Sequence, residues 1–509
     1  MAMSPKRAMS GIYSRYKRMS AGYDLPLPSP ADPRAHQLLG SAWFSRRYAK
    51  RYAAVFALLL LCTFLRFWVP REVEREPLRG LVLDDALPPL YEEYHEEELQ
   101  LPQHDPELPF PEGREGRYVN IANHIYGLGW GNALQEVLLD SYLAYRAGRA
   151  YVFDNYTWSR DMDPPPYSEY NGKLIPSRVP LRAMITGPTA GGPYPDGDRA
   201  PRSVGVDYFR EVCKHPQIIS SEEINADLGR EPTAKMVLNK WVETLNAIEN
   251  RCVEVDRFSE QVFGYWTFGS AQRLLDIWPE YSKSPIIQNF RWSPLVQDAF
   301  DVNYRLFTSP STLGSFFSPF RASKVKTDPY TPIQGLLVLH VRRGDYEDHC
   351  NHLANWSARY SGFNDFPEFV DKFTPPPGGG AGNTTAENRA IYIRHCFPSI
   401  EQIVKRIEEI RKSKAGKGLK NVYVMTNGAR PWVADLKEAL KKTGHWSKVA
   451  TSRDLQLTPE QKYISQAIDM LIGHRAQVII GNGFSSMTSN IVMLRMARQD
   501  LNPDSNRFW

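Results

Sequence analysis

The sequence predicts an α/β protein whose body has two halves, each built on a parallel sheet, preceded by one N-terminal transmembrane helix and a disordered stem. Three observations predict this arrangement. In the last third of the chain, short apolar runs alternate with segments of helical periodicity, as in parallel sheets covered by helices on both faces. A strand, a glycine-rich turn, a helix and a second strand follow one another over residues 118–153. One long apolar run separates a basic segment from an acidic one.

The N-terminal segment, residues 1–52, carries ten lysines and arginines against two acids, a net charge of +8. Residues 53–69 follow it as an apolar run with one charge, Arg66. Because about 17 apolar residues are the lower limit for a bilayer span and a basic flank marks the cytoplasmic side, this run predicts a type II signal anchor. The alternative is a buried core helix, but the acidic segment that follows offers no local core.

Residues 70–116 are acidic and proline-rich, with fourteen acids, four arginines and a net charge of −10. Such a composition cannot bury enough apolar surface to fold, so it predicts an extended, disordered stem. With Arg66 counted in the apolar run, the total net charge of +5 then leaves +6 for residues 117–509. A nucleic-acid partner is disfavoured, because binding the phosphate backbone needs a clustered basic surface. The mild excess suits an anionic small-molecule substrate.

The body also carries features of a secretory compartment. Four of the five cysteines lie in it, and an even number under oxidising conditions predicts two disulfides in one of three connectivities. No CxxC spacing occurs, so zinc is disfavoured. The cysteine count, the sequons and the predicted anchor together favour the secretory pathway, where we expect a Golgi membrane location, with the ER membrane as the alternative. The cysteines are Cys213, Cys252, Cys350 and Cys396, and glycosylation sequons fall at Asn155, Asn355 and Asn383.

Within the body, we predict an N-terminal half over residues 117–330 and a C-terminal half over 331–509. The first begins with strand 118–124, helix 131–147 and strand 149–153, and continues with helices near 233–250 and 257–278. In the second, strands are predicted at 336–341, 421–426, 447–450 and 477–480, and helices at 399–412, 431–442, 459–473 and 486–497. Ligands of parallel sheets bind beyond the carboxyl ends of the strands.

One strand end bears two arginines. The apolar run 336–341 leads directly into the segment HVRRGDY, residues 340–346, which contains Arg342 and Arg343. Two guanidinium groups beside a buried strand are costly unless they meet anions, and their forked geometry suits phosphate oxygens. The alternative is a structural Arg–Asp pair that closes a turn.

A second strand end leads through glycine and serine into a helix. Ser485, Ser486 and Thr488 lie at this junction, where free N–H groups and hydroxyls together favour an anion. Ordinary N-capping by Ser485 or Ser486 is the alternative. The turn at residues 127–132 also joins a strand to a helix, but it lacks the GxGxxG spacing and the P-loop lysine, so dinucleotide or ATP use is not indicated.

Three blocks, residues 131–153, 340–346 and 468–495, together resemble the GDP-fucose-dependent fucosyltransferase superfamily, which comprises protein O-fucosyltransferases and α1,2 and α1,6 enzymes. The resemblance covers roughly residues 120–509. It implies a GT-B fold with two Rossmann-like domains and inverting, metal-independent transfer of fucose from GDP-fucose to a protein or glycan hydroxyl, without a cofactor. Arg342 would bind the diphosphate and stabilise departing GDP, with Arg343 in a structural or supporting role. The implied donor-binding residues are His340, Arg342, Arg343, Asp345, Gly131, Asn132, Asp469, Ser485, Ser486 and Thr488.

The general base is a separate prediction, because an acceptor hydroxyl needs a carboxylate within hydrogen-bond reach. The α1,6 enzymes place a glutamate ten residues after the motif histidine, where this chain has Cys350. Glu347 and Asp348 are the nearest candidates, and Asp345 and Glu136 are further ones. The chain also departs from the resemblance by a tryptophan in the first glycine turn, which could alter the acceptor side.

Two rival functions remain open at this stage. The triplets 161–163 and 196–198 match the DxD metal-diphosphate motif of GT-A glycosyltransferases, although both lie in Pro/Gly-rich segments and not after an apolar strand. A glycosyltransferase with another nucleotide-sugar donor is therefore one alternative. The other is a catalytically lapsed, lectin-like membrane protein that retains the fold.

Overall fold

Parallel strands form two five-stranded sheets in the computed structural model, which describes residues 87–170, 172–308, 330–344, 346–498 and 501–509, without the side chains of Tyr265 and Trp266. The predicted cytosolic tail and membrane anchor lie outside the described residues. Within the described ranges, no helix is long and apolar enough to cross a membrane.

The first sheet belongs to the N-terminal half and has the order β8-β2-β1-β10-β9, with every pair parallel. The strands of this half are β1 (Tyr118–Ile121), β2 (Ala150–Phe153), β3 (Tyr156–Thr157), β4 (Tyr167–Tyr170), β5 (Lys173–Pro176), β6 (Arg178–Val179), β7 (Ile185–Thr186), β8 (Val204–Gly205), β9 (Gln217–Ile219), β10 (Cys252–Val255) and β11 (Arg291–Trp292). The helices are α1 (Glu92–Leu99), α2 (Trp130–Arg146), α3 (Val206–Val212), α4 (Ser221–Asn225), α5 (Ala234–Ala247), α6 (Tyr265–Phe268), α7 (Ala271–Leu274), α8 (Trp278–Tyr281), α9 (Pro285–Gln288) and α10 (Pro294–Phe307).

The second sheet has the order β14-β13-β12-β15-β16, again all parallel. Its strands are β12 (Ile333–Val341), β13 (Asn421–Thr426), β14 (Lys448–Thr451), β15 (Ala476–Gly481) and β16 (Asn506–Phe508). The helices are α11 (Tyr346–Asn355), α12 (Ala386–Cys396), α13 (Ile400–Arg411), α14 (Arg430–Lys442), α15 (Pro459–Tyr463), α16 (Ser465–His474) and α17 (Ser486–Met496). The chain runs outward from β12 to β14 and then returns to the other side of β12. The carboxyl ends of β12 and β15 therefore flank a topological switch point, where such sheets bind ligands.

Burial explains why these segments form a parallel sheet. The β12 segment is buried at every position except Gln334, as expected of a strand covered on both faces. Helices α13 and α14 bury one apolar face each on one side of the sheet. Helix α16 is buried along its whole length and α17 nearly so, because both lie between the second sheet and the N-terminal half.

The predicted disordered stem is wrong at its carboxyl end. Residues 87–116 are ordered and include helix α1. Tyr91 is 1% exposed and its hydroxyl donates to the Glu460 carbonyl at 2.7 Å, while buried Gln103 donates to the carbonyls of Gly191 and Ser203. The prediction considered only the acidic, proline-rich composition. It could not include these few side chains, which anchor the segment by specific contacts with the body.

Other differences concern helix continuity and one sheet edge. The helix predicted over 257–278 is instead the short helices α6, α7 and the start of α8, and the helix predicted over 459–473 divides into α15 and α16. Edge strand β16, helices α11 and α12, and helix α10 had no predicted counterpart. Helix α10 also packs on the second sheet through Phe307 and Tyr423, whose rings are 5.9 Å apart. The described residues of both halves belong to one compact unit.

The structure selects one of the three cysteine connectivities, with disulfides Cys213–Cys252 and Cys350–Cys396. The second joins α11 to α12, just beyond the strand end that carries Arg342. Of the three sequon asparagines, Asn383 is exposed, whereas Asn155 and Asn355 are half-buried.

Removing the Cys350–Cys396 disulfide by the double substitution Cys350→Ala and Cys396→Ala is expected to lower the free energy of unfolding by about 2–4 kcal/mol. Because the bridge fixes α11, we also expect weaker GDP binding, measured by calorimetry alongside thermal unfolding. The matched control is Cys213→Ala with Cys252→Ala, which should lower thermal stability and leave GDP affinity unchanged. Unchanged GDP affinity in both double variants would contradict the role given to the α11 bridge.

Candidate functional site

The candidate site lies at the switch point of the second sheet. Leu339 of β12 pairs with Ile480 of β15, and each strand ends within two residues of this pair. Beyond β12 come Arg342 and Arg343, and beyond β15 the chain turns into the N-terminus of α17. The two strand ends singled out in the sequence are therefore neighbours in the fold.

Arg342 is buried at this edge, with 8% of its surface exposed. Its guanidinium carbon lies 4.9 Å from the ring centre of Tyr346, the first residue of α11. The Tyr346 hydroxyl donates to the Phe484 carbonyl at 3.3 Å, which ties the ring to the turn after β15. A guanidinium positioned in this way is suited to bidentate binding of phosphate oxygens.

His340 contacts the other strand end directly. Its Nδ1 lies 2.8 Å from the Thr488 hydroxyl, and that hydroxyl accepts the Asn482 N–H at 3.1 Å. Burial, with a smaller contribution from Arg342, lowers the pKa of His340 to about 3. The imidazole is therefore neutral at physiological pH, so His340 fixes the turn by hydrogen bonding and leaves the positive charge at Arg342.

The N-terminus of α17 has no side-chain cap from its N-cap residue. Ser485 occupies the N-cap position, but its side chain makes no capping hydrogen bond. The alternative of ordinary capping by Ser485 is therefore excluded in this structure. The positive end of the α17 helix dipole lies at this N-terminus, next to the carboxyl end of β12.

Gly131, near the start of α2, brings the N-terminal half against this helix N-terminus. A Cβ atom at Gly131 would lie 2.8 Å from the Met487 nitrogen and 2.9 Å from the Ser486 hydroxyl oxygen. The buried Asn490 amide donates to the Gly131 carbonyl at 2.7 Å. Asn132 follows as a half-buried residue of the same turn. The predicted site residues of the two halves are thus in direct contact.

Arg343 lies apart from this group. Its guanidinium carbon is 4.2 Å from the ring centres of both Phe397 and Trp432, and its Nη2 donates to the Pro398 carbonyl. The Asn427 amide accepts the Arg343 N–H at 2.7 Å and donates to its carbonyl at 3.0 Å. Burial lowers the pKa of Arg343 to about 10. These contacts fit the structural role considered for Arg343 from the sequence.

Asp469 forms a buried polar cluster with β13 and the segment after β14. The Tyr423 hydroxyl donates to Asp469 Oδ1 at 2.7 Å, and the Ser452 hydroxyl donates to Oδ2 at 2.8 Å. Burial raises the pKa of Asp469 to about 7, against the opposing effect of these two hydrogen bonds. Near neutral pH the carboxyl group therefore changes between its protonated and ionised forms.

The shifted pKa of Asp469 gives a stability prediction. An unfolded aspartate has a pKa of about 3.9, so the folded chain binds the extra proton between about pH 4 and pH 7, and stability falls as pH rises through that window. Asp469→Asn is expected to raise the thermal midpoint at pH 7.5 more than at pH 5. Asp435→Asn, at an exposed position on α14, is the control and should show no such difference. An equal shift at both pH values would contradict the assignment.

The candidate bases occupy two different environments. Glu347 and Asp348 are exposed in the first turn of α11, next to the ring that underlies Arg342, while Asp345 lies outside the described residues. Glu136 is 3% exposed and accepts the Ile125 N–H at 2.6 Å. Burial, reinforced by Asp140, raises the pKa of Glu136. Glu136 therefore stabilises the segment before α2 by this hydrogen bond. Glu347 and Asp348 remain the predicted candidates for the general base.

The two DxD triplets make other contacts. Asp163 pairs with Arg257 at 3.3 Å, and Asp198 accepts the Tyr145 hydroxyl at 3.1 Å. Among the described residues, no group of three or more His, Cys, Asp or Glu side chains is arranged to hold a metal ion.

Three residues of the site were not predicted from the sequence. The Tyr346 ring packs against the Arg342 guanidinium, and the Asn490 amide donates to the Gly131 carbonyl. The Trp509 indole donates to the His340 carbonyl at 2.9 Å. Tyr346 lies within the HVRRGDY segment, so its aromatic ring next to an arginine was an available signal. Asn490 and Trp509 carry no comparable signal, because their partners are distant in the sequence.

A buried guanidinium and an uncapped helix N-terminus at one switch point are suited to a diphosphate, the group that nucleotide-sugar transferases bind. Comparison with known families is more specific. The family model described as GDP-fucose protein O-fucosyltransferase matches residues 249–498. The chain belongs to the GDP-fucose-dependent fucosyltransferase superfamily and is thus a glycosyltransferase, and GDP-fucose is the donor of this family.

Solved structures similar to the chain come from the same group of enzymes. POFUT1 in complex with GDP-fucose has 14% identity over 77% of this chain and 98% of that chain, with a TM-score of 0.43. NodZ α-1,6-fucosyltransferase soaked with GDP-fucose has 14% identity over 74% and 92%, with a TM-score of 0.34. Arabidopsis thaliana FUT1 in complex with GDP has 12% identity over 79% and 73%, with a TM-score of 0.34. No curated protein sequence matches the chain.

Proposed function

We propose that the protein is an inverting, metal-independent fucosyltransferase of the GT-B type, which moves fucose from GDP-fucose to a hydroxyl of a protein or glycan acceptor. One observation carries the proposal: Arg342 and the uncapped N-terminus of α17 lie at neighbouring strand ends that flank the switch point. Both supply fixed positive charge at the place where a parallel sheet binds its ligand.

In this proposal the donor diphosphate lies between the two features. The Arg342 guanidinium binds phosphate oxygens from one side, and the N-terminus of α17, with the positive end of its helix dipole, faces them from the other. The Ser485, Ser486 and Thr488 hydroxyls line the same turn. As the bond from fucose to GDP breaks, negative charge grows on the leaving phosphate. Preorganised donors stabilise that charge more in the transition state than in the bound substrate.

The remaining donor contacts follow from the same placement. Neutral His340 and the Asp469 cluster line the nucleotide side of the strand ends, and Gly131 and Asn132 bring the N-terminal half to the sugar-phosphate side. For inversion, the acceptor hydroxyl attacks the face of the sugar opposite to GDP and gives its proton to a base. We assign that base to the first turn of α11, to Glu347 or Asp348, since both carboxylates are solvent-accessible beside Tyr346.

A donor screen tests this function on the full-length chain purified in detergent. We expect slow release of GDP from GDP-fucose, unchanged by EDTA, and no release of UDP from UDP-sugars. Release from a UDP-sugar, or activity abolished by EDTA and restored by Mn²⁺, would assign another donor or a GT-A mechanism. No turnover with any donor would favour the lectin-like alternative.

We further propose a type II orientation in the Golgi membrane, with residues 53–69 as the anchor and the body in the lumen. The apolar run with its basic flank supports this orientation. Exposed Asn383 should then carry an N-glycan, so Asn383→Gln should remove one PNGase F-sensitive increment of mass in expressing cells. A body that is protease-accessible in intact microsomes would contradict the orientation.

A further inference from the structure

A pocket with an aromatic lining is formed by residues of both halves of the body. It is an open depression between the segment of β3 to β6 and the helices α15 and α16, with about 360 Å³ free of protein atoms when the solvent space at its mouth is included. The sequence had left the aromatic residues of this region undecided between core packing and sugar binding. The lining residues are Tyr156, Trp158, Tyr170, Ile175, Pro176, Val179, Tyr463 and Gln466.

The aromatic rings present their surfaces at an angle to one another. The Trp158 ring lies 5.6 Å from Tyr170 at 73° and 6.2 Å from Tyr156 at 59°. Trp158 and Tyr170 are only partly buried, so they are not ordinary core residues. An aromatic wall of this kind suits a ligand with a flat apolar face.

One lining residue, Tyr156, contacts the glycine turn that precedes Gly131. The Tyr156 hydroxyl donates to the Leu128 carbonyl at 2.9 Å, and the Tyr156 ring lies 5.3 Å from that of Trp130. Trp130 is the tryptophan by which this chain departs from the family in the first glycine turn, and Gly131 follows it. A ligand in the pocket would therefore be separated from Gly131 by Tyr156 and Trp130.

Gln466 supplies the polar group of the pocket. Its side chain is 5% exposed, and its Oε1 has no hydrogen-bond partner in the part of the chain that the structure describes. It lies three residues before Asp469 on α16. A buried amide oxygen without a donor is costly, and a ligand hydroxyl would satisfy it. The lining carries no acidic or basic side chain, and burial raises the pKa of Tyr463, so a neutral ligand is favoured.

We propose that this pocket is an acceptor subsite for a neutral pyranose ring of a carbohydrate. The apolar face of the sugar packs on Trp158, and one sugar hydroxyl donates to Gln466 Oε1. Only the description of the ligand as an acceptor rests on the proposed function. Binding of the sugar to the pocket does not require GDP-fucose. A peptide aromatic side chain is the competing occupant.

Saturation-transfer NMR on the full-length protein tests the subsite without donor. The probes are the methyl glycosides of glucose, galactose, N-acetylglucosamine and rhamnose, with methyl glucuronide as the charged comparison and N-acetyltyrosinamide as the peptide comparison. We expect transfer to the ring protons of at least one neutral glycoside, and little to the glucuronide. Trp158→Ala and Gln466→Leu should each weaken binding at least tenfold, and Trp158→Phe should retain part of it.

Trp356→Ala is the matched control, because Trp356 is an exposed tryptophan (43%) on α11's carboxyl side, outside the pocket. It should leave glycoside binding unchanged. No transfer to any neutral glycoside, transfer that survives Trp158→Ala in a folded variant, or preferential binding of N-acetyltyrosinamide would each overturn the proposal. If the wild type bound glycosides but released no GDP from GDP-fucose, the proposed function would be wrong and the sugar subsite would still be supported.

Discussion

Arg342→Ala is expected to lower kcat/KM for GDP-fucose by about 10²–10³-fold, the cost of removing one preorganised group that stabilises charge in a transition state. The reason is the position of the guanidinium, which is 8% exposed at the switch point and stacked on Tyr346. Arg342→Lys keeps the charge but loses the forked geometry, so it should recover only part of the rate. Initial rates of GDP release give the measurement.

The matched control for this prediction is Arg389→Ala, an exposed arginine on α12. It removes the same charge and should leave GDP release unchanged. Circular dichroism should show the same helix content in both variants, which separates loss of the guanidinium from loss of the fold. Near wild-type GDP release by Arg342→Ala would refute the site assignment.

Gly131→Ala is expected to damage both stability and activity. Its Cβ would lie 2.8 Å from the backbone nitrogen of Met487, a contact that only movement of α2 or α17 can relieve. Overpacking of this kind costs about 1–3 kcal/mol of stability. A displacement of about 1 Å at a reacting centre can cost about 100-fold in rate, so we expect a fall in kcat/KM of that order. Thermal unfolding and GDP release measure the two effects.

Gly264→Ala provides the comparison, because a Cβ there meets nothing within 4 Å and the backbone is not left-handed. That variant should unfold and react like the wild type. If Gly131→Ala matched Gly264→Ala in both measurements, the contact between the two halves at the α17 N-terminus would not matter for function.

The local signals in the sequence were sufficient for the sheets and for much of the site. The β12 run is apolar because both of its faces are covered, and Arg342 follows it directly. The position of this strand end could therefore be predicted from the sequence. Ser485 to Thr488 follow β15 in the same way. The sequence did not predict that these strands are neighbours; the structure pairs β12 with β15, so the two segments meet at one edge of the sheet.

Features that depend on contacts between residues distant in the sequence could not be predicted from local patterns. The role of Asn490 depends on Gly131, which is distant in the sequence, and helix α1 is ordered by single anchors such as Tyr91 on Glu460. The division at Ile464 between α15 and α16 was not predicted either, because no proline or glycine lies between Pro459 and Gly473 to mark a break. The aromatic pocket needed the fold as well, since Trp158 and Gln466 come from different halves.

The most direct test of the central claim is calorimetric titration of GDP into the wild-type protein and into Arg342→Ala. The account predicts that GDP binds the wild type, that UDP does not compete, and that the substitution weakens GDP binding at least tenfold. Equal GDP affinity in the two proteins, or UDP binding as tight as GDP binding in the wild type, would contradict a GDP-sugar site at the junction of β12 and β15.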